Sequence, residues 1–180
     1  MNPFAFLVDS LFSIYIMVLM LRVILQWTRA DFYNPLSQFV VKITNPLVVP
    51  LRRIIPGFGG LDIATLLLIF LLTCLKLYLV ILINGIPFMS ISLVSVILTS
   101  IKDMIDLVLN IFLFAILIQA ILSWVNPDPY NPVMGILNTV TAPVLRPFRR
   151  LIPPIGGIDI SPMIAMIAII FIQKLLQYLF

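Results

Sequence analysis

Four stretches of the chain are apolar almost without interruption, at residues 4–27, 63–84, 105–124 and 161–180. As helices rising about 1.5 Å per residue, each is long enough to cross roughly 30 Å of hydrocarbon. A fifth apolar piece, residues 88–101, reaches only about 21 Å by the same arithmetic. Polar residues Ser92, Ser95, Thr99, Lys102, Asp106 and Asn110 recur through and beyond it every three or four positions. That spacing puts them on one face of a helix running into the third span. The segment 85–104 is therefore expected to be a connecting interfacial helix.

Between the spans the pattern changes. After Asn34-Pro35, the residues Leu36, Phe39, Val40, Ile43 and Leu47 fall on one helical face. After Asn131-Pro132, Val133, Ile136, Leu137, Val140 and Val144 do the same. Asparagine caps a helix, and proline at the first helical position needs no donor. A short helix of this kind is expected to lie on the membrane with its apolar face down. Pro46 and Pro50 are expected to end the first one, with an arginine pair and then a glycine turn following. Asp62 and Asp159 stand where they would cap the next span, at the positive end of its dipole.

The similarity of the two loops is not shared greasiness. Shifted by 97 positions, residues 27–63 align without a gap on 124–160, and sixteen of 37 positions are identical. The matches include Trp27/Trp124, Asp31/Asp128, Tyr33/Tyr130, Asn34/Asn131, Pro50/Pro147, Arg52/Arg149, Arg53/Arg150 and Asp62/Asp159; only two of the sixteen are aliphatic. The sequence thus predicts two tandem parallel repeats, 1–84 and 105–180, each of two transmembrane helices joined by a loop with an amphipathic surface helix.

Composition fixes the solvent. With 62% hydrophobic and 10% charged residues and a mean hydropathy of +1.21, a soluble domain of 180 residues could not be clothed in charge. The fold class is all-α, a polytopic membrane protein. The start, MNPFAFLVDS, lacks a basic region ahead of its apolar run, so the first stretch is expected to be a retained span.

The charges set orientation. The two repeat loops hold Arg29, Lys42, Arg52, Arg53, Arg146, Arg149 and Arg150, whereas the opposite side offers only Lys102. Basic loops stay inside, so the loops are expected to be cytoplasmic and both termini periplasmic, in a bacterial inner membrane. Five spans would put the two basic loops on opposite sides; four keep them together.

Catalytic chemistry is poorly supplied. Histidine and glutamate are absent, and the single cysteine, Cys74, lies within an apolar span. No catalytic residue, metal site, cofactor or nucleic-acid motif is expected. Two sets of polar residues are the candidate sites. Arg52, Arg53, Arg149 and Arg150 suit anionic lipid phosphates or an acidic partner, because guanidinium matches phosphate geometry; as a plainer alternative they mark the cytoplasmic side. Lys76, Asp106, Asn110 and Arg22 are polar groups within spans, which either join helices or mark an ion path. Arg22 is expected to snorkel toward headgroups.

At W-x3-D-x-YNP, followed by T-x-P-x3-P-x-RR-x-IP and GG-x-D, the chain resembles the YggT (YlmG) family of bacterial and plastid membrane proteins. The stretch LRPFRRLIPPIGGIDISP, residues 145–162, is the most specific part; the first copy has Gly57 for its second proline and Ala64-Thr65 for Ser161-Pro162. The resemblance implies an inner-membrane protein without assigned catalysis, with members linked to osmotic or potassium stress, to cell division and envelope organisation, and in plastids to haem attachment on a cytochrome. The expected function is a non-catalytic accessory or scaffold that organises or helps assemble membrane components. A small oligomeric ion channel or transporter is the alternative. Expected partners are anionic phospholipids, other membrane proteins and a second copy of the chain.

Overall fold

A computed structural model describes residues 2–55, 57, 62–87, 92–125, 131–151 and 159–179, without the side chains of residues 124 and 125. The described residues contain six helices: α1 (Pro3–Trp27), α2 (Pro35–Ile54), α3 (Ile63–Ile83), α4 (Leu93–Val125), α5 (Pro132–Leu151) and α6 (Ser161–Leu179). No strand occurs among the described residues. Among the described residues four helices are long and apolar enough to cross a membrane, over Pro3–Trp27, Ile63–Ile83, Leu93–Ser123 and Ser161–Leu179. The expected glycine turns Gly59-Gly60 and Gly156-Gly157, the motif residues Asp128 and Tyr130, the apolar residues 88–91 and the Trp124 side chain lie outside the described residues.

The helix starts follow from their caps. Asn2 accepts a hydrogen bond from Phe4 N at 3.0 Å, Asn34 from Leu36 N at 3.0 Å, and Asn131 from Val133 N at 2.9 Å. In each case proline comes next and forfeits no bond. Asp62 accepts from Thr65 N at 3.2 Å ahead of α3, and Asp159 from Ser161 N at 3.0 Å ahead of α6. Two helices stop by one device, a left-handed residue that lets the chain fold back on the last turn. Gly85 takes φ 74° after α3, and Arg29, at higher steric cost, takes φ 53° after α1.

α1 and α3 are antiparallel neighbours. At one end Asn2 donates to Asn84 Oδ1 and to Ile83 O, at 3.4 and 3.5 Å; at the other Arg22 approaches Asp62. α4 packs on both α3 and α6, and it centres the core. Leu19, Met20 and Ile24 of α1 meet Ile69 of α3, Ile116 of α4 and Ala165 of α6 in one buried cluster, closed by Val48 of α2 and Leu145 of α5. Most large apolar side chains outside that cluster remain exposed, Phe4, Leu11, Leu71, Phe114 and Phe171 among them, as lipid-facing helices require.

Two boundaries differ from the sequence expectation. α4 runs unbroken for 33 residues, about 50 Å, so residues 93–104 are continuous with the helix of the third span. Nothing in Leu93–Ile105 breaks it: there is neither proline nor glycine. Pro46 and Pro50 do not end α2, which continues to Ile54, and Pro143 and Pro147 likewise lie inside α5. Each proline removes one donor and bends the helix. Burial of Val40, Thr44 and Val48 against α1 and α3 holds α2 together on either side of Pro46. That burial also divides the expected apolar face, since Val40 points inward whereas Leu36, Phe39, Ile43 and Leu47 stay exposed.

Candidate functional site

The first residue of the first arginine pair is not a free surface feature. Arg52, in the last turn of α2, sends Nε to both carboxylate oxygens of Asp62, at 3.2 and 3.1 Å, and adds a short Nη2 contact. Its Nη2 also donates to Gln26 Oε1 at 2.8 Å. Asp62 is fully buried and receives the Thr65 backbone N–H and hydroxyl as well. Burial pushes its carboxyl pKa up, but the hydrogen bonds from Arg52 and Thr65 outweigh that and hold it below the ordinary value.

Arg22 completes this station, and its position corrects the expectation that it snorkels. The side chain is buried; Nη1 donates to Thr44 Oγ1 at 2.7 Å and to Asn45 Oδ1 at 2.9 Å, and Nε lies 3.9 Å from Asp62. The competing force is local: a carboxylate, a hydroxyl and an amide within reach replace its water, whereas snorkelling leaves Asp62 with one fewer cation.

The equivalent station in the second half is looser and less charged. Arg149 Nε donates to Asp159 at 2.9 Å, but the side chains are 46% and 37% exposed. Asp159 is nonetheless held below its ordinary pKa, because hydrogen bonds from Ser161 and Arg149 outweigh its partial burial. Gln119 occupies the place of Arg22, 97 positions on: the Thr141 hydroxyl donates to its Oε1 at 2.5 Å, and its Nε2 donates to Asn138 at 2.6 Å. Arg53 and Arg150 are exposed and make no ion pair among the described residues. The two arginines of each pair therefore have different surroundings. Asn34 joins the halves, its Nδ2 donating to Pro132 O at 2.7 Å.

A second polar cluster lies toward the other end of the spans. Lys76 sits 3.4 Å from Asp9 and donates to Ser13 at 3.3 Å. Asp106 pairs with Lys102 at 3.5 Å, one helical turn away. Asn110 accepts from Gln173 at 3.0 Å, and Cys74 contacts Ser100 at 3.2 Å. Ser13, Lys76, Asp103, Asp106 and Asn110 line a cavity of about 280 Å³, and one buried oxygen of Asp106 has no hydrogen-bond partner. Of the residues singled out in the spans, the structure thus gathers Lys76, Asp106 and Asn110 and sets Arg22 apart with Arg52. Sequence reasoning did not single out Ser13, Ser37, Thr44, Asn45 or Gln173. Extending the 97-residue shift beyond the loops finds two of them, since Gln173 falls on Lys76 and Ser13 on Asn110. Among the described residues no set of acidic or sulfur side chains is grouped to hold a metal.

The CCB3/YggT family matches residues 1–83 and 98–180. An uncharacterized protein of Pseudomonas aeruginosa is 44% identical over 170 residues, 94% of this chain and 86% of its own. A protein of Vibrio alginolyticus, described as uncharacterized in the proC 3′ region, is 42% identical over 98% of this chain and 94% of its own. The uncharacterized protein YggT of Escherichia coli K12 is 40% identical over 96% of this chain and 88% of its own. No solved structure matches. With the family matched over both segments, and relatives this similar along nearly their whole length, the chain belongs to the CCB3/YggT family.

Proposed function

We propose that this protein is a non-catalytic accessory of the bacterial inner membrane that organises or helps assemble other membrane components. In this reading two parallel copies of span, surface helix and span set both basic loops in the cytoplasm and both termini in the periplasm. Anionic phospholipids gather at Arg53 and Arg150, and the exposed stripe Leu36, Phe39, Ile43 and Leu47 seats α2 in the headgroup layer. The observation that supports it best is the use made of the intramembrane polar groups. Arg22 is tied to Thr44 and Asn45, Lys76 to Asp9 and Ser13, and Gln173 to Asn110. Each contact joins one helix to another, the pattern of helix-to-helix fastening.

An ion-conducting role is the second reading, favoured by the cavity beside Lys76 and by the unpartnered oxygen of Asp106. Reconstitution separates the two. Proteoliposomes holding the accessory protein should pass no more potassium than protein-free vesicles, and mild-detergent purification should retain a stoichiometric membrane partner. Potassium flux that disappears in Lys76→Met would overturn the accessory reading.

A further inference from the structure

Between α1 and α2 a cavity of about 410 Å³ is lined by Arg22, Gln26, Ser37, Asn45 and Arg52. Two guanidinium groups meet there with one carboxylate, that of Asp62, behind them. Arg52, 38% exposed, takes the close contacts with Asp62, which leaves the Arg22 side chain, 93% buried, no nearer than 3.9 Å to that carboxylate. A buried charge without a matching counterion is costly. The second observation is independent of charge. Ser37 is 3% exposed, lines the same cavity, and its hydroxyl has no hydrogen-bond partner. Buried hydroxyls are nearly always bonded.

From these two observations we infer that the cavity is a binding site for a phosphate group, held by Arg22, Arg52 and the Ser37 hydroxyl. A tetrahedral oxyanion accepts from several directions at once, which suits two guanidinium forks and a hydroxyl better than a planar carboxylate would. Asn45 adds an amide N–H donor, because its oxygen already accepts from Arg22. Arg22 lies five residues from the end of α1, about 7 Å along the helix, so the site sits where a lipid phosphate would enter from the membrane surface. Here the inference rests on the orientation and lipid reading proposed above. The volume is in the usual range for a small-molecule pocket.

The second half lacks this site. There Gln119 and Met134 stand in the places of Arg22 and Ser37, and the corresponding cavity of about 520 Å³ is lined by Gln119, Met134, Asn138 and Arg149. One phosphate site per chain follows. The same replacements supply the test, because Arg22→Gln and Ser37→Met install residues that the chain already accommodates at equivalent positions.

The full chain, purified in detergent and stripped of lipid, is titrated with inorganic phosphate by calorimetry. In parallel it is loaded with phosphatidylglycerol or phosphatidylcholine for native mass spectrometry. Phosphatidylglycerol should bind in preference to phosphatidylcholine, and binding should weaken at least about tenfold in both variants, the loss of one charged or well-placed hydrogen-bond donor. A phosphate titration that responds in wild type and not in the variants assigns free phosphate as a ligand too. Phosphatidylglycerol binding alone assigns the lipid headgroup. Equal binding of both probes by wild type and both variants overturns the site. If Arg53→Gln with Arg150→Gln still weakens the lipid in that case, the general lipid reading survives. Absence of any phosphate response and of any lipid preference in wild type overturns both.

Discussion

Arg22 Nε and the Asp62 carboxylate lie 3.9 Å apart, linking the last turns of α1 to the cap of α3. Asp62 thereby serves two arginines and a helix start from a buried position, whereas Asp159 serves one arginine from a site open to water. Removing the buried carboxylate leaves two guanidinium groups facing each other. Asp62→Asn should therefore cost about 3 kcal/mol, and Asp159→Asn less than about 1 kcal/mol. Thermal unfolding in detergent checks both. Equal losses would show that the burial difference has no energetic consequence.

Acid should reveal the same asymmetry. Both carboxyls have folded-state pKa values below the ordinary 3.8. Their stabilisation is thus fully present above the unfolded value and is lost as pH falls through the folded value. The melting temperature should stay level from pH 7 to about 5 and fall below about 4. Asp62→Asn should flatten most of that fall. An unaltered acid profile in the variant would place the titrating group elsewhere.

Lys76 is the single lysine of α3, and its partner Asp9 is 39% exposed. Losing the lysine leaves a carboxylate that is partly exposed about two turns from the start of α1, so Lys76→Met should change stability by no more than about 1 kcal/mol. A loss several times larger would mean that Asp9 depends on Lys76 for its charge, as a sealed site would require.

The spans were legible because hydropathy and caps agree. The expected 4–27 and 161–180 became Pro3–Trp27 and Ser161–Leu179, each start marked by a residue whose side chain closes the first turn. The spacing of Ser95, Thr99 and Lys102 put them on a helix running into the third span, and α4 is continuous through residue 105 because nothing from Leu93 onward breaks it. Local breakers were the less reliable signal. Prolines 46 and 50 are breakers, but tertiary burial of Thr44 and Val48 outweighs them. The inward turn of Arg22 was illegible for another reason. Its partners Thr44 and Asn45 lie 22 and 23 positions away, and helical periodicity says nothing about which faces will meet.

The proposed topology rests on charge and is open to chemical labelling. In a Cys74→Ser background, single cysteines at Gln38 and Gly135 occupy equivalent exposed positions of α2 and α5, and a Cβ at Gly135 meets nothing within 4 Å. Both should be shielded from a membrane-impermeant reagent added to intact spheroplasts, whereas Tyr178→Cys should react. Labelling of Gln38→Cys and Gly135→Cys from opposite sides would sink the parallel arrangement.

Within each arginine pair the two residues should separate experimentally. Arg52 and Arg149 are engaged with Asp62 and Asp159, whereas Arg53 and Arg150 are exposed and make no ion pair among the described residues. Near an anionic leaflet each basic residue contributes about 1 kcal/mol. Losing both exposed arginines should then weaken phosphatidylglycerol retention by roughly thirtyfold, with the melting temperature unchanged. Arg52→Gln should do the reverse to stability, lowering it because Asp62 stays buried. Lysine at 53 and 150 should restore retention if charge alone attracts lipid, and fail to if bidentate geometry is required. Native mass spectrometry of bound lipid, read beside thermal unfolding, distinguishes these outcomes. Unchanged retention in the double Gln variant, with correct insertion, would reject the lipid role for Arg53 and Arg150. Two exposed arginines that follow apolar helix faces would then be a docking surface for an acidic partner.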